Sequence, residues 1–208
     1  MRIAIDGPAA AGKTSVGRAL AEEFGCRFVE TGKMYRAVAL AFDRGIPLAA
    51  IRIEVSESGR FVLNGEDVTD LLHTPEYDQK ASQVATQVEV RARLVELQRD
   101  IASRGSVVME GRDIGTVVLP NADVKLFLHA SSEARATRRV RQRRTGSYEE
   151  TLRELTSRDE RDQGRRIAPL KAAKDATIID TDRKTLAEVI SAASNLVREQ
   201  LGRRCHGD

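Results

Sequence analysis

The chain is predicted to fold as an α/β protein built on a parallel sheet, and three features carry that prediction. Apolar runs of strand length alternate with segments of helical period. The first of these runs leads straight into a glycine-rich loop, and two later runs stop at charged, glycine-bearing segments.

Met1–Ile5 is an apolar strand-like run ending at Asp6-Gly7-Pro8. Thr14–Phe24 then sets Val16, Leu20 and Phe24 at the repeat of one helix face. Arg27–Glu30 reads as a short strand, and Met34–Phe42 as a helix with Met34, Val38 and Phe42 on one side. This β–loop–α–β–α order opens a parallel sheet. Ile51–Val55 alternates, Ser56–Gly59 reads as a turn, and Arg60–Leu63 is another strand-like run. Asn64-Gly65 suits a hairpin, because both positions tolerate positive φ. A small antiparallel insert is therefore expected over residues 50–70. A helical stretch is expected from Pro75 through Leu97.

The α/β rhythm returns with strands at Ser106–Glu110, Val124–His129 and Thr177–Asp180 and an amphipathic helix at Leu186–Leu201. Between them, Ser132–Arg166 reads as an arginine-rich helical pair broken at Thr145-Gly146. With no internal repeat or low-complexity linker, one domain over 1–208 is expected. Its core spans about 1–48, 71–131 and 167–208, with insertions at about 50–70 and 132–166.

The composition, 41% hydrophobic and 31% charged, is that of a globular chain. No apolar run reaches the roughly 20 residues of a membrane span, and the start lacks a secretory signal, so a cytoplasmic protein without membrane contact is expected. Cys26 and Cys205 form no CxxC, and His73, His129 and His206 show no ligand spacing. Cys26 is expected as a small buried residue and Cys205 as part of the tail. The net charge is +3, yet residues 133–166 alone hold eleven Arg against seven Asp or Glu. Either a local anionic partner or a solvated charged helix accounts for such a segment.

Gly7-Pro8-Ala9-Ala10-Ala11-Gly12-Lys13-Thr14 fits the phosphate-loop pattern GxxxxGK(S/T), between a predicted strand and a predicted helix, with Ser15 next in line. Gly7 and Gly12 allow the tight turn, and the exposed N–H groups together with the helix start form a concavity for phosphate oxygens. Lys13 adds positive charge at the β/γ phosphates of a triphosphate, and Thr14 offers a hydroxyl to Mg2+.

Ligands of open α/β sheets bind beyond the carboxyl ends of the strands. Two further ends are chemically loaded: Glu30-Thr31-Gly32-Lys33-Met34-Tyr35-Arg36 and Glu110-Gly111-Arg112-Asp113. Glu110 stands where a carboxylate can hold Mg2+ through water. Arg112 and Asp113, left accessible by a glycine before and one after, are either site residues or a structural ion pair. Thr31 and Tyr35 face one way on a helix, with Thr31 also able to serve as its N-cap, and Arg36 suits a phosphate clamp. Arg158, Asp162 and Arg165 fall on one helical face, and guanidinium forks match phosphate geometry. A GTP-dependent switch is disfavoured because NKxD is missing. A single-strand RNA binder is disfavoured because aromatics are only 4%. A kinase for a non-nucleotide metabolite is the nearest rival.

Taken together, IDGPAAAGKTS, ETGKMYR, KASQVA, GRDIGTVV and RDERDQGRRIAPL make the sequence resemble the bacterial cytidylate kinases over nearly its whole length. The resemblance implies a five-stranded parallel sheet flanked by helices, a nucleotide-monophosphate-side insert and a mobile helical lid. It implies transfer of the ATP γ-phosphate to CMP or dCMP, with Mg2+, by a monomer. Carried over by position, the CMP pocket would hold Thr31, Tyr35, Arg36, Ser82, Arg91, Gly111, Arg112, Asp113, Arg158, Asp162 and Arg165. Arg112 and Asp113 would read the cytosine edge, Arg36, Arg91 and Arg158 would grip phosphate, and Asp162 would face the sugar. Lys13, Arg158 and the lid residues Arg138 and Arg141 would stabilise charge on the transferring group. Two positions depart from the family's commoner residues, with Glu110 in place of Asp and Thr31 in place of Ser.

Overall fold

The computed structural model describes residues 1–143 and 147–205, without the side chains of residues 75 and 203–205. The Thr145-Gly146 break, His206 and the Cys205 side chain lie outside the described residues. The first half contains β1 (Arg2–Asp6), α1 (Lys13–Glu23), β2 (Arg27–Glu30) and α2 (Thr31–Asp43), then β3 (Ile53–Val55), β4 (Phe61–Leu63) and β5 (Glu66–Asp67). The second contains α3 (Pro75–Val84), α4 (Val88–Ser103), β6 (Val107–Gly111), β7 (Val124–His129), α5 (Ser132–Arg143), α6 (Tyr148–Gln163), β8 (Thr177–Asp180) and α7 (Leu186–Cys205).

Five strands form a parallel sheet in the order β2-β6-β1-β7-β8. Side chains alternate across a strand, so both faces of β1 must be covered. Ile3 and Ile5 pack with Val16 and Leu20 of α1 and Val189 and Val197 of α7. Ala4 points the other way, into a cluster with Met34 and Val38 of α2 and Val90 and Leu94 of α4. Phe61 and Leu63 of the antiparallel β3-β4-β5 sheet join that second cluster, so the insert shares the main core.

One expected helix is two. The stretch from Pro75 breaks after Val84, where the Thr86 hydroxyl donates to the Gln83 carbonyl and Gln87 turns extended before α4 begins. Thr competes with the backbone in this way, and the periodic pattern alone does not show it. Cys26, at the α1–β2 turn, is half-buried rather than buried, and its thiol is free.

The register sets Asp6 beside Gly111 and Glu30 beside Glu110, so the chemically loaded strand ends share one edge. From β1 the chain crosses to β2 on one side, and from β6 it crosses to β7 on the other. Ligand crevices form at such a reversal of strand order.

Candidate active site

A cavity of about 940 Å³ opens at that edge. Ala9–Ser15 line one wall, while Gly7 and Pro8 act from behind it. Gly7 has φ 147°, and a Cβ there would collide with the Leu128 carbonyl oxygen of β7. Only glycine lets β1 turn this close to its neighbour. Gly12, with φ 94°, is the N-cap of α1. Lys13 is buried, and its ammonium donates to the Pro8 carbonyl at 2.7 Å. Burial, with the nearby Arg112 guanidinium second, pulls its pKa down to about 7.

The Thr14 hydroxyl donates to Glu110 Oε1 at 2.7 Å. Burial pushes the Glu110 carboxyl above its ordinary range, against the pull of Lys13. A hydroxyl and a carboxylate meeting beside the phosphate loop are hard oxygen donors that fit Mg2+. Among the described residues no cluster of three or more His, Cys, Asp or Glu is set to hold a metal. The remaining ligands would therefore come from phosphates and water, the usual arrangement for Mg2+.

The start of α2 forms the floor. Thr31 is its first residue rather than its cap, which is Glu30. The Thr31 hydroxyl donates instead to the Glu110 carbonyl at 2.7 Å and ties two strand ends together. Tyr35 has Arg91 5.8 Å from its ring centre, and burial pushes its phenol up to about 12. It is a neutral hydrogen-bonding group at neutral pH.

Facing the loop is a wall of paired arginines. Arg112 and Asp113 do not pair locally: Arg112 Nε donates to Asp162 Oδ2 at 2.9 Å, and Asp113 accepts from Arg91. Asp162 is fully buried and also takes bonds from Ser82 at 3.4 Å and from Arg165. Helix α6 ends at Gln163, so Arg165 reaches Asp162 from beyond the helix rather than from an i+7 position. Arg36 donates to the Leu72 carbonyl at 2.9 Å and to Asp78 Oδ1 at 2.5 Å. Arg158 lies within ion-pair reach of both Asp78 and Asp162, and burial together with Arg112 lowers its pKa to about 10. The Nε atoms of Arg158 and Arg165 are buried without a hydrogen-bond partner. Such donors in a cavity wall suit an anionic ligand.

Of the two lid arginines expected at the transferring group, Arg138 lines the cavity and the exposed Arg141 does not. Arg138 donates to Thr181 Oγ1 at 2.9 Å and to the Thr181 carbonyl. Arg139 and Arg143, one helical turn apart on α5, face the acceptor-side wall through Asp78. The helix phase is responsible. Arg135 is locked to Asp159 at 2.5 Å and to the Ala9 carbonyl at 3.3 Å, and this points positions 139 and 143 inward. That spacing from an inward Arg135 was the available sequence signal. Asp78, Thr181 and Lys184 also line the cavity and carried no motif.

A lysine and backbone amides at the end of a parallel strand, opposite a wall of guanidiniums, are the working parts of a P-loop kinase. The chain belongs to the cytidylate kinase family, whose profile matches residues 3–199. It is 48% identical to a cytidylate kinase of Mycobacterium leprae, the match covering 96% of each chain. It is 44% identical to one from Thermotoga maritima, covering 96% of this chain and 98% of that one. Among solved structures, the fold is similar to a gluconokinase from Sinorhizobium meliloti (TM-score 0.53, 18% identity, 100% and 97% covered). It is likewise similar to a shikimate kinase from Bacteroides thetaiotaomicron (TM-score 0.52, 13% identity, 95% and 98% covered).

Proposed function

We propose that this protein transfers the γ-phosphate of ATP to CMP or dCMP, giving ADP and CDP or dCDP. The observation that carries this reading is the pinning of Arg112 and Asp113. Each is held by a partner from a distant segment, so a guanidinium and a carboxylate stand side by side on the wall facing the phosphate loop. An adjacent donor and acceptor match the hydrogen-bonding edge of a cytosine. Family membership and relatives that carry the name cytidylate kinase support the same assignment.

In this reading Lys13 and the Ala9–Ser15 amides hold the donor phosphates. Thr31, Tyr35, Ser82 and Gly111 shape the acceptor site, and Arg36, Arg91, Arg158 and Arg165 supply positive charge to the acceptor phosphate. The acceptor oxygen belongs to a phosphate already ionised near neutral pH, so no strong general base is required. Catalysis then rests on alignment and charge neutralisation, with Lys13 and Arg158 compensating charge on the transferring group. Mg2+, held by Thr14 and through water by Glu110, would when bound neutralise further charge on the donor phosphates. The lid helices α5 and α6 would close over the cavity and exclude water. The reading includes a monomer working in the cytoplasm. No helix among the described residues is long and apolar enough to cross a membrane.

The deciding assay measures ADP formation from ATP and Mg2+ with CMP, dCMP, UMP, AMP or GMP and with no acceptor. Turnover concentrated on CMP and dCMP is expected. Equal turnover on all five, or on none, would remove the acceptor assignment and leave a P-loop kinase of another substrate.

A further inference from the structure

Asp78 sits on α3, outside every motif, yet it is a buried carboxylate on the cavity wall. Its Oδ1 accepts from Arg36 of α2 at 2.5 Å and lies 3.7 Å from Arg158 of α6. Its Oδ2 accepts from Arg139 of α5 and lies 3.7 Å from Arg143 of the same helix. Three helices thus send four guanidiniums to one carboxylate on a fourth. The other nearby carboxylates are Glu154, 2.9 Å from Arg143, and Asp162, 4.0 Å from Arg158. Positive charge still exceeds negative here. Burial lowers the pKa of Arg139, as do Arg143 and Arg36, against the pull of Asp78 and Glu154. The same arginines keep Asp78 ionised against the cost of burial.

A carboxylate and a phosphate present the same kind of oxygen edge to a guanidinium fork. Four half-buried cations facing one another without an anion would repel, and the cost falls once a counter-ion is present. Asp78 has only two oxygens, and among the described residues they hydrogen-bond only Arg36 and Arg139. Arg158 and Arg143 stay beyond hydrogen-bond distance, and Arg158 Nε has no hydrogen-bond partner at all. A phosphate, with more oxygens and more charge, can engage all four. Resting on the phosphate grip that the proposed function gives Arg36 and Arg158, and extending it to Arg139 and Arg143, we propose that Asp78 is a positioning residue that stands in for a nucleotide phosphate. It gathers the guanidiniums of Arg36, Arg139, Arg143 and Arg158 before nucleotide arrives, ties the lid helices to α3, and gives them up to the incoming phosphate.

Binding of phosphate must then compete with this internal carboxylate. The test uses full-length wild type, Asp78→Asn and Asp78→Glu, with saturating ADP filling the P-loop. Inorganic phosphate is titrated in by calorimetry, and amide hydrogen exchange of α5 and α6 is followed in parallel. The Asn variant should bind phosphate about tenfold more tightly, and the Glu variant about as wild type does. Exchange in α5 and α6 of the phosphate-free Asn variant should exceed wild type and return to the wild-type rate once phosphate is bound. Unchanged or weaker phosphate binding in the Asn variant overturns the proposal. So does faster exchange that phosphate does not slow, because that marks a purely structural clamp. If wild type phosphorylates neither CMP nor dCMP, the acceptor reading fails by itself, and the phosphate titration still decides the role of Asp78.

Discussion

The P-loop wall of the cavity draws on one contiguous stretch, Gly7–Ser15, and is shaped mainly by backbone. The facing wall draws on Arg36, Arg91, Arg112, Arg139, Arg143, Arg158 and Arg165, which come from α2, α4, α5, α6 and two turns and are held by carboxylates mostly from segments other than their own. The first wall binds phosphate with N–H groups that carry no net charge apart from Lys13. It needs no counter-ion, and a methyl group is its main hazard. The second wall is a charge assembly whose geometry exists only while its balance of guanidinium and carboxylate does. A site made of backbone is specified by conformation, whereas a site made of ion pairs is specified by partners.

The largest expected effect tests the second wall. Arg158→Ala should lower kcat/KM by about 10³-fold, as loss of an essential arginine does in phosphoryl transfer. Arg139→Ala should cost at least about tenfold, because it removes a cation that faces the acceptor side. Arg141→Ala, on the exposed side of the same helix, should stay within about twofold. Equal losses for Arg139→Ala and Arg141→Ala in steady-state assays would break the assignment of the two helix faces.

The first wall should fail through conformation. Gly7→Ala places a methyl group against the Leu128 carbonyl in a backbone conformation that suits glycine, and about 4 kcal/mol of stability should be lost. Urea unfolding measures it, and a loss below about 1 kcal/mol would mean that the turn relaxes at little cost.

The smallest effect concerns how the two walls are joined. Asp6, at the end of β1, accepts from the Ile114 and Gly115 amides at 2.8 and 2.7 Å and so holds the turn that carries Arg112 and Asp113. Burial outweighs these bonds and raises its pKa from 3.8 to about 6. The folded protein therefore binds more protons than the unfolded chain between those two values, and stability attributable to Asp6 falls as pH rises through that window. Relative to Asp6→Asn, wild type should lose about 2–3 kcal/mol between pH 4 and 6 and change little above 7. A difference that is flat across the window would show that Asp6 is not burdened by its charge.

Much of this was legible in the residues themselves. The strands at Arg27–Glu30, Val124–His129 and Thr177–Asp180 have the bounds expected from their short runs of strand-forming residues, which are local signals. The phosphate loop was legible because its chemistry is local. The break between α3 and α4 was not, since Thr and Gln also occur inside helices. The inward position of Arg139 and the outward one of Arg141 were not legible, because an arginine-rich helix does not reveal its own rotation, which is set here by the Arg135–Asp159 pair and the Ala9 carbonyl. Asp78 carried no signal at all: one acidic residue in a mixed helix acquires meaning only when three other helices bring cations to it.

By itself, then, the order of residues determined the α/β class, the loop that takes phosphate and the family to which the chain belongs, because each depends on neighbours close in sequence or on long runs of matching residues. Tertiary structure alone decided which arginines face the cavity, which carboxylate each one holds, and where Asp78 stands among them. Those choices depend on helix rotation and on contacts between segments up to 126 positions apart, such as that of Arg135 with the Ala9 carbonyl, and no local pattern encodes them.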